Sequence, residues 1–148
     1  MKLSGAYQIP GSREAVFKAI TDPEILKDCI DGCEKMVLTG DDLYDAHLKI
    51  GLGSIKGSYV GKVHLRDKEP PEHYTLVMEG KGAPGFVKGT AKIVLTESGA
   101  ETKLTCDADA LVGGLIAAIG SRLIEAAAKK MMHEFFRKFG ETMKGLQA

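Results

Sequence analysis

Two carboxylates stand two residues apart in an alternating segment of the chain. Asp107 and Asp109 share one face of a predicted strand, where paired carboxyl groups can act as general acid and base. The alternate positions carry small and apolar residues, namely Leu104, Cys106, Ala108 and Ala110. Because the apolar set makes the better inward face, we expect both aspartates to be solvated.

Histidine and cysteine are common ligands of transition metals. The chain contains four histidines and three cysteines: His47, His64, His73, His133, Cys29, Cys33 and Cys106. No histidine has a second ligand at metal-binding spacing. Cys29 and Cys33 could share a helix face, but Gly32 lies between them and no histidine is nearby, and three cysteines cannot all pair within one chain. The N-terminus also shows no export-signal pattern. We therefore expect no metal site and a reducing, cytoplasmic location.

Nucleotide and nucleic-acid binding are also disfavoured. The glycines at 51, 53 and 57 approach a dinucleotide loop, but the spacing is one residue too long and strand-like residues follow. The 20 Lys and Arg residues equal the 20 Asp and Glu residues. A chain without net charge lacks the general basic character that nucleic-acid binding uses. No nucleophile elbow or phosphate loop is present.

The elements that must position these residues begin with a strand and two short helices. Residues 2–9 alternate between two faces, and Pro10 with Gly11 ends the strand. Ser12 is a predicted helix N-cap, and Pro23 divides the following apolar pattern into two helices.

A period-two pattern then predicts six further strands. They fall near residues 33–39, 43–51, 54–66, 73–81, 86–96 and 101–111. The connections are too short for parallel crossovers, so we expect a seven-stranded antiparallel sheet together with the first strand. Glycines on one face of the third of these strands, Gly57 and Gly61, indicate a sharp bend or a close approach.

A helical pattern follows Gly113-Gly114 and continues to about Gly145. Its beginning, residues 111–120, is apolar on all sides but far too short to span a membrane. Coverage of this segment by neighbouring loops is the favoured interpretation. The alternative is a surface for a membrane or a partner, formed by Leu111, Leu115 and Ile119.

This order of elements predicts one α+β domain, residues 1–148, of the helix-grip type. A long helix that crosses a curved sheet can leave a pocket between the two layers. The predicted lining is Leu48, Ile50, Tyr59, Met78, Phe86, Ala108, Ala110, Gly120, Ile124, Ala127, Met131 and Phe135. An apolar small molecule is the expected occupant.

Several short motifs add a resemblance to a known family. They are Val16-Phe17 with Asp22-Pro23 and Leu26; Cys29-Ile30-Asp31-Gly32-Cys33; Ile50-Gly51 with Ile55-Lys56-Gly57 and Gly61-Lys62-Val63; Gly113-Gly114-Leu115; Ile119-Gly120-Ser121-Arg122-Leu123-Ile124; and Phe135-Phe136. In order and spacing, over almost the whole chain, they resemble the CoxG family of carbon monoxide dehydrogenase subunits, within the START-like (SRPBCC) superfamily. The sequence departs from the family at Asp31, where the turn typically reads Ile-Pro-Gly.

The resemblance implies a START-like fold and an accessory role beside a molybdenum-dependent hydroxylase such as carbon monoxide dehydrogenase. Assembly, membrane recruitment and electron delivery are the implied roles, and in electron delivery the pocket would hold a respiratory quinone. A lipid is the other implied ligand, without a metal or a covalent cofactor. Asp31 and the end of the sequence at Ala148 argue against stable membrane attachment, which leaves peripheral contact with the inner face of the cytoplasmic membrane.

Two other functions remain open from the sequence. The first is an enzyme of the cyclase or hydrolase kind, with Asp107, Asp109, His47 or Tyr59 as the acid or base. It requires one of these side chains to point inward. The second is an interaction module whose closed core holds nothing.

Overall fold

The computed structural model describes residues 1–51 and 55–147. The strands are β1 (Lys2–Pro10), β2 (Cys33–Gly40), β3 (Leu43–Ile50), β4 (Gly57–Glu69), β5 (His73–Gly82), β6 (Gly85–Ser98) and β7 (Glu101–Gly113). The helices are α1 (Arg13–Ile20), α2 (Pro23–Cys29) and α3 (Ser121–Gln147), and a 3-10 helix spans Leu115–Ile119.

All seven strands form one antiparallel sheet in the order β1-β7-β6-β5-β4-β3-β2. The helix α3 lies against the sheet with its backbone closest to β1 and α2. The predicted seven-stranded helix-grip fold is therefore confirmed. The predicted turn at 51–53 and the predicted strand start at 54 fall on residues 52–54, outside the described residues.

Local capping explains the two short helices. The Ser12 Oγ accepts a hydrogen bond from the Ala15 N–H at 3.2 Å, and the Asp22 side chain accepts one from the Glu24 N–H at 2.9 Å. Each cap satisfies an N–H that the helix leaves without an internal partner. Pro23 occupies the first turn of α2, where its missing N–H costs nothing.

The expectation of one continuous helix from residue 115 is wrong. Gly120 has a φ of 100°, which side-chain-bearing residues rarely adopt, and it separates the 3-10 helix from α3. The Ile116 N–H donates to the Pro84 carbonyl at 2.7 Å, and its buried side chain lies over the β5–β6 turn. No helix of the described residues has both the length and the apolar composition needed to cross a bilayer.

The contiguous core lies at the end of the sheet that α1 covers. Its largest fully buried members include Ile9, Val16, Leu104, Phe139 and Met143. The one buried polar residue in this part of the described chain is Thr102, whose hydroxyl donates to the Gly11 carbonyl at 2.8 Å. This bond ties the turn after β1 to the start of β7.

Replacing Thr102 with valine should lower the free energy of unfolding by about 1–3 kcal/mol, because the buried Gly11 carbonyl loses its donor. Urea denaturation followed by circular dichroism measures the change. The exposed Thr96→Val on β6 is the control, and it should stay within about 0.5 kcal/mol of the parent. Equal stability of the two variants would contradict the assigned role of Thr102.

Candidate functional site

The inner face of the sheet, which faces α3, carries a row of small side chains. Strand pairing places Ala46 opposite Gly61, Gly61 opposite Gly80, and Gly80 opposite Val87. The adjacent row contains Met78, Gly89 and Ala110, also in register. At Ala46, Gly61, Gly80, Gly89 and Ala110 these two rows offer little side-chain volume toward the helix, whereas Val63, Met78 and Val87 in the same rows are larger.

The space above this row is open. A Cβ placed on Gly80 would meet only one atom within 4 Å, the Val60 carbonyl oxygen at 3.8 Å. A Cβ placed on Gly61 would meet only backbone atoms of β5. No side chain of the described part of α3 thus reaches down to these two positions. We call the space over Gly61 and Gly80 the hollow.

Exposure along the inner face shows where the hollow opens. On β7, Leu104 is fully buried, whereas Ala108 and Ala110 are half-buried. On β5, exposure rises from 2% at Tyr74 to 36% at Met78. The inner face is therefore closed at the α1 end and accessible at the opposite end.

Two residues at the accessible end are buried apart from the contiguous core. The Tyr59 hydroxyl donates to the Ile55 carbonyl at 2.6 Å, and burial raises the pKa of this phenol. Ile116 packs against the β5–β6 turn near Gly85. Tyr59 therefore supports the β3–β4 connection, and Ile116 supports the β5–β6 connection. Neither side chain belongs to the core that fills the α1 end of the sheet.

The N-terminal half of α3 faces the hollow with partly exposed residues. Ile124, Ala127, Met131 and Phe135 are all half-buried, whereas Phe136, Phe139 and Met143 further along are buried. Gly120 is exposed at the junction before the helix. Contact between α3 and the rest of the protein therefore tightens toward its C-terminus.

Most of the predicted lining residues on the sheet share the inner face. Strand register places Leu48, Ile50, Tyr59, Met78, Ala108 and Ala110 there. Phe86 is a correction: it pairs with Gly113 and Lys81 on the outer face, and its ring covers Gly113. Sequence reasoning did not place Gly61, Gly80 and Gly89 in the lining, because it interpreted glycines in the strands as marking a bend or a close approach.

The acid–base candidates do not come together. Asp107, Asp109 and His47 lie on the outer face and are exposed, as expected for the two aspartates. Tyr59 alone points inward, and Ile55 holds its hydroxyl. Two outer depressions of about 650 and 440 Å³ border Asp109, but charged side chains such as Lys62, Arg66 and Lys92 line them. Among the described residues, no pair of candidate acids and bases faces the hollow.

One buried tyrosine belongs to the contiguous core. Tyr74 lies on the inner face of β5, and its ring meets Phe17 edge-on with 5.5 Å between centroids. Burial raises the pKa of Tyr74 far above its usual value, so its hydroxyl stays a neutral donor. It makes no hydrogen bond to any described side chain or backbone group, unlike Tyr44, which donates to the Thr21 carbonyl at 2.6 Å.

The cysteines fit packing roles. All three are free, and Cys29 and Cys106 are buried. Burial raises the pKa of the Cys106 thiol to about 11, so it is neutral at physiological pH. The described residues contain no group of three or more His, Cys, Asp or Glu side chains placed to hold a metal.

Comparison with protein families gives one match. The model of the CoxG family, which is named for the G subunit of carbon monoxide dehydrogenase, matches residues 5–144. No curated protein matches the chain.

Solved structures agree with this match. A conserved protein from Geobacillus kaustophilus shares 38% identity, with a TM-score of 0.94 over 98% of this chain and 96% of that chain. A START superfamily protein from Mycobacterium smegmatis has a TM-score of 0.78 at 12% identity, with 98% of both chains covered. The protein TTHA0849 from Thermus thermophilus has a TM-score of 0.76 at 12% identity, with 100% of both covered. The last two show the fold alone.

A pair of glycine substitutions tests whether the hollow is open. Gly80→Ala should keep or raise the free energy of unfolding, by up to about 1 kcal/mol, since alanine fits the open space and restricts the unfolded chain. Gly82→Ala, two residues along the same strand, places its Cβ against the Ser58 carbonyl and should destabilise by more than about 1 kcal/mol. Urea denaturation of both variants measures the difference, and a large loss for Gly80→Ala would show that the space is filled.

Proposed function

Because the chain belongs to the CoxG family of carbon monoxide dehydrogenase subunits, we propose that it is an accessory protein that carries an apolar small molecule, a quinone or a lipid, in the hollow. The observation that supports this proposal is the open space above Gly61 and Gly80 on the inner face. Apolar side chains border it on the sheet and on α3, and the space is accessible at one end.

Burial of apolar surface would supply the affinity. Each Å² of apolar surface removed from water contributes about 25 cal/mol, before the costs of association. Met78 and Met131, one on each layer, are half-buried or exposed and have flexible side chains. Such side chains adapt to ligands of different shape.

The partner follows from family membership rather than from the site. The family is described as a subunit of carbon monoxide dehydrogenase, so the proposed partner is a molybdenum-containing hydroxylase of this kind. The chain itself would contribute the bound ligand, without a metal or covalent cofactor of its own.

Filling the hollow should abolish ligand binding without unfolding the protein. Isothermal titration calorimetry with menadione, a small quinone, should show binding to the parent protein and about tenfold or weaker affinity for Gly80→Leu, whose side chain would occupy the same space. Gly140→Leu is the matched control, since a Cβ there also meets no neighbour but lies in the C-terminal half of α3. If menadione and fatty acids all fail to bind the folded parent, the proposal is wrong.

A further inference from the structure

The 3-10 helix between β7 and α3 is bounded by glycines in unusual conformations. Gly114 has a φ of 81° and Gly120 a φ of 100°, which residues with a side chain rarely adopt. A Cβ placed on Gly114 would meet the backbone of Gly85, whereas one placed on Gly120 would meet no atom within 4 Å beyond its chain neighbours. At Gly120, therefore, only the backbone conformation requires glycine. We call residues 115–120 the switch segment.

One side chain attaches the switch segment to the rest of the protein. Ile116 is 3% exposed, and its N–H donates to the Pro84 carbonyl at 2.7 Å. The other residues of the segment are exposed, apart from the half-buried Ile119, and Leu115 reaches 75%. The apolar contacts of the segment therefore depend mainly on Ile116.

Backbone hydrogen bonding is incomplete where the switch segment meets α3. The Gly120 nitrogen lies 3.4 Å from the Ala117 carbonyl oxygen, which is long for a hydrogen bond. The N–H groups of residues 121–123 have no acceptor among the described residues, and all three residues are exposed. A continuous α-helix would offer these N–H groups the carbonyls of residues 117–119. Short 3-10 stretches beside an α-helix often mark a hinge.

The sequence of the switch segment favours the α-helix that the structure interrupts. Leucine and alanine, which are good helix formers, occupy three of its six positions. Two effects oppose a continuous helix: Ile116 would lose its buried site, and Gly120 is a poor helix former. The burial of one isoleucine and a few exposed backbone hydrogen bonds contribute free energies of similar size. Two conformations of the segment therefore lie close in free energy.

We propose that the switch segment alternates between the anchored 3-10 helix and an N-terminal extension of α3. In the anchored state, Ile116 covers the β5–β6 turn. In the extended state, residues 116–120 join α3, Gly120 adopts helical dihedral angles, and Ile116 leaves the turn. Gly113 and Gly114, which connect the segment to β7, absorb the change of direction.

The two states differ at the accessible end of the inner face. Ile116 supports the β5–β6 connection there, so its release widens the entrance to the hollow. An apolar molecule then enters or leaves through the extended state and is retained in the anchored state. This consequence rests on the proposed carrier function, whereas the two states exist with or without a ligand.

Substitution of Gly120 tests the switch in the ligand-free, full-length protein. Gly120→Ala should move the equilibrium about tenfold or more toward the extended state, because alanine favours a helix, disfavours a positive φ and meets no neighbour. By NMR, the Ile116 amide hydrogen should exchange about tenfold faster or more. The Cα chemical shifts of residues 117–119 should move toward α-helical values, while the amide of the buried Leu104 exchanges as in the parent.

Matched variants keep this test specific. Gly140→Ala makes the same substitution at an open position inside α3, so it should leave exchange at Ile116 unchanged. Ile116→Ala removes the anchor and should move the shifts of residues 117–119 in the same direction, whereas the exposed Leu115→Ala should not. Unchanged shifts in Gly120→Ala would overturn the proposal, and so would a move toward unstructured values.

Menadione association tests the link between the switch and the hollow. Stopped-flow mixing should show faster association with Gly120→Ala than with the parent, because more of the variant is in the extended state. An equal association rate in a variant whose chemical shifts have moved would overturn the role of the switch in access. If menadione does not bind the parent, the carrier function is contradicted, and the ligand-free NMR measurement still decides whether the switch exists.

Discussion

Large side chains at one end of the interface between α3 and the sheet set the distance between the two layers. Phe136, Phe139 and Met143 are buried there, and the Phe136 ring stacks on Tyr7 of β1 with 4.4 Å between centroids. A helix of 27 residues cannot bend sharply to follow the sheet without a proline or a comparable break. Toward its N-terminus, α3 therefore stays at a distance that glycine and alanine on the sheet cannot fill.

This arrangement separates stability from binding. The α1 end contains the contiguous core, the Thr102 hydrogen bond and fully buried Leu104. Unfilled apolar space costs stability because its lining atoms lose contacts. That cost is confined to the end of the sheet opposite α1, where Tyr59 supports the β3–β4 connection and Ile116 supports the β5–β6 connection. The fold can keep a hollow because its other half is densely packed.

Much of the fold followed from local pattern, and the failures have physical causes. Period-two alternation predicted each strand and placed Leu104, Cys106 and Ala108 inward, since successive side chains of a regular strand point to opposite faces. Phe86 was misplaced because it directly follows a glycine-containing turn, where a one-residue change of register reverses the face. The break at Gly120 was missed because Leu, Ile and Ala around it favour a helix, and only the backbone reveals its positive φ.

The hollow itself could be suggested but not located from the sequence. A glycine in a strand can serve a bend, a close approach or an empty space, and local pattern does not separate these causes. Gly61 and Gly80 belong to different strands, and only pairing brings them side by side beneath α3. Strand pairing, which depends on the whole chain, thus decides where the hollow lies.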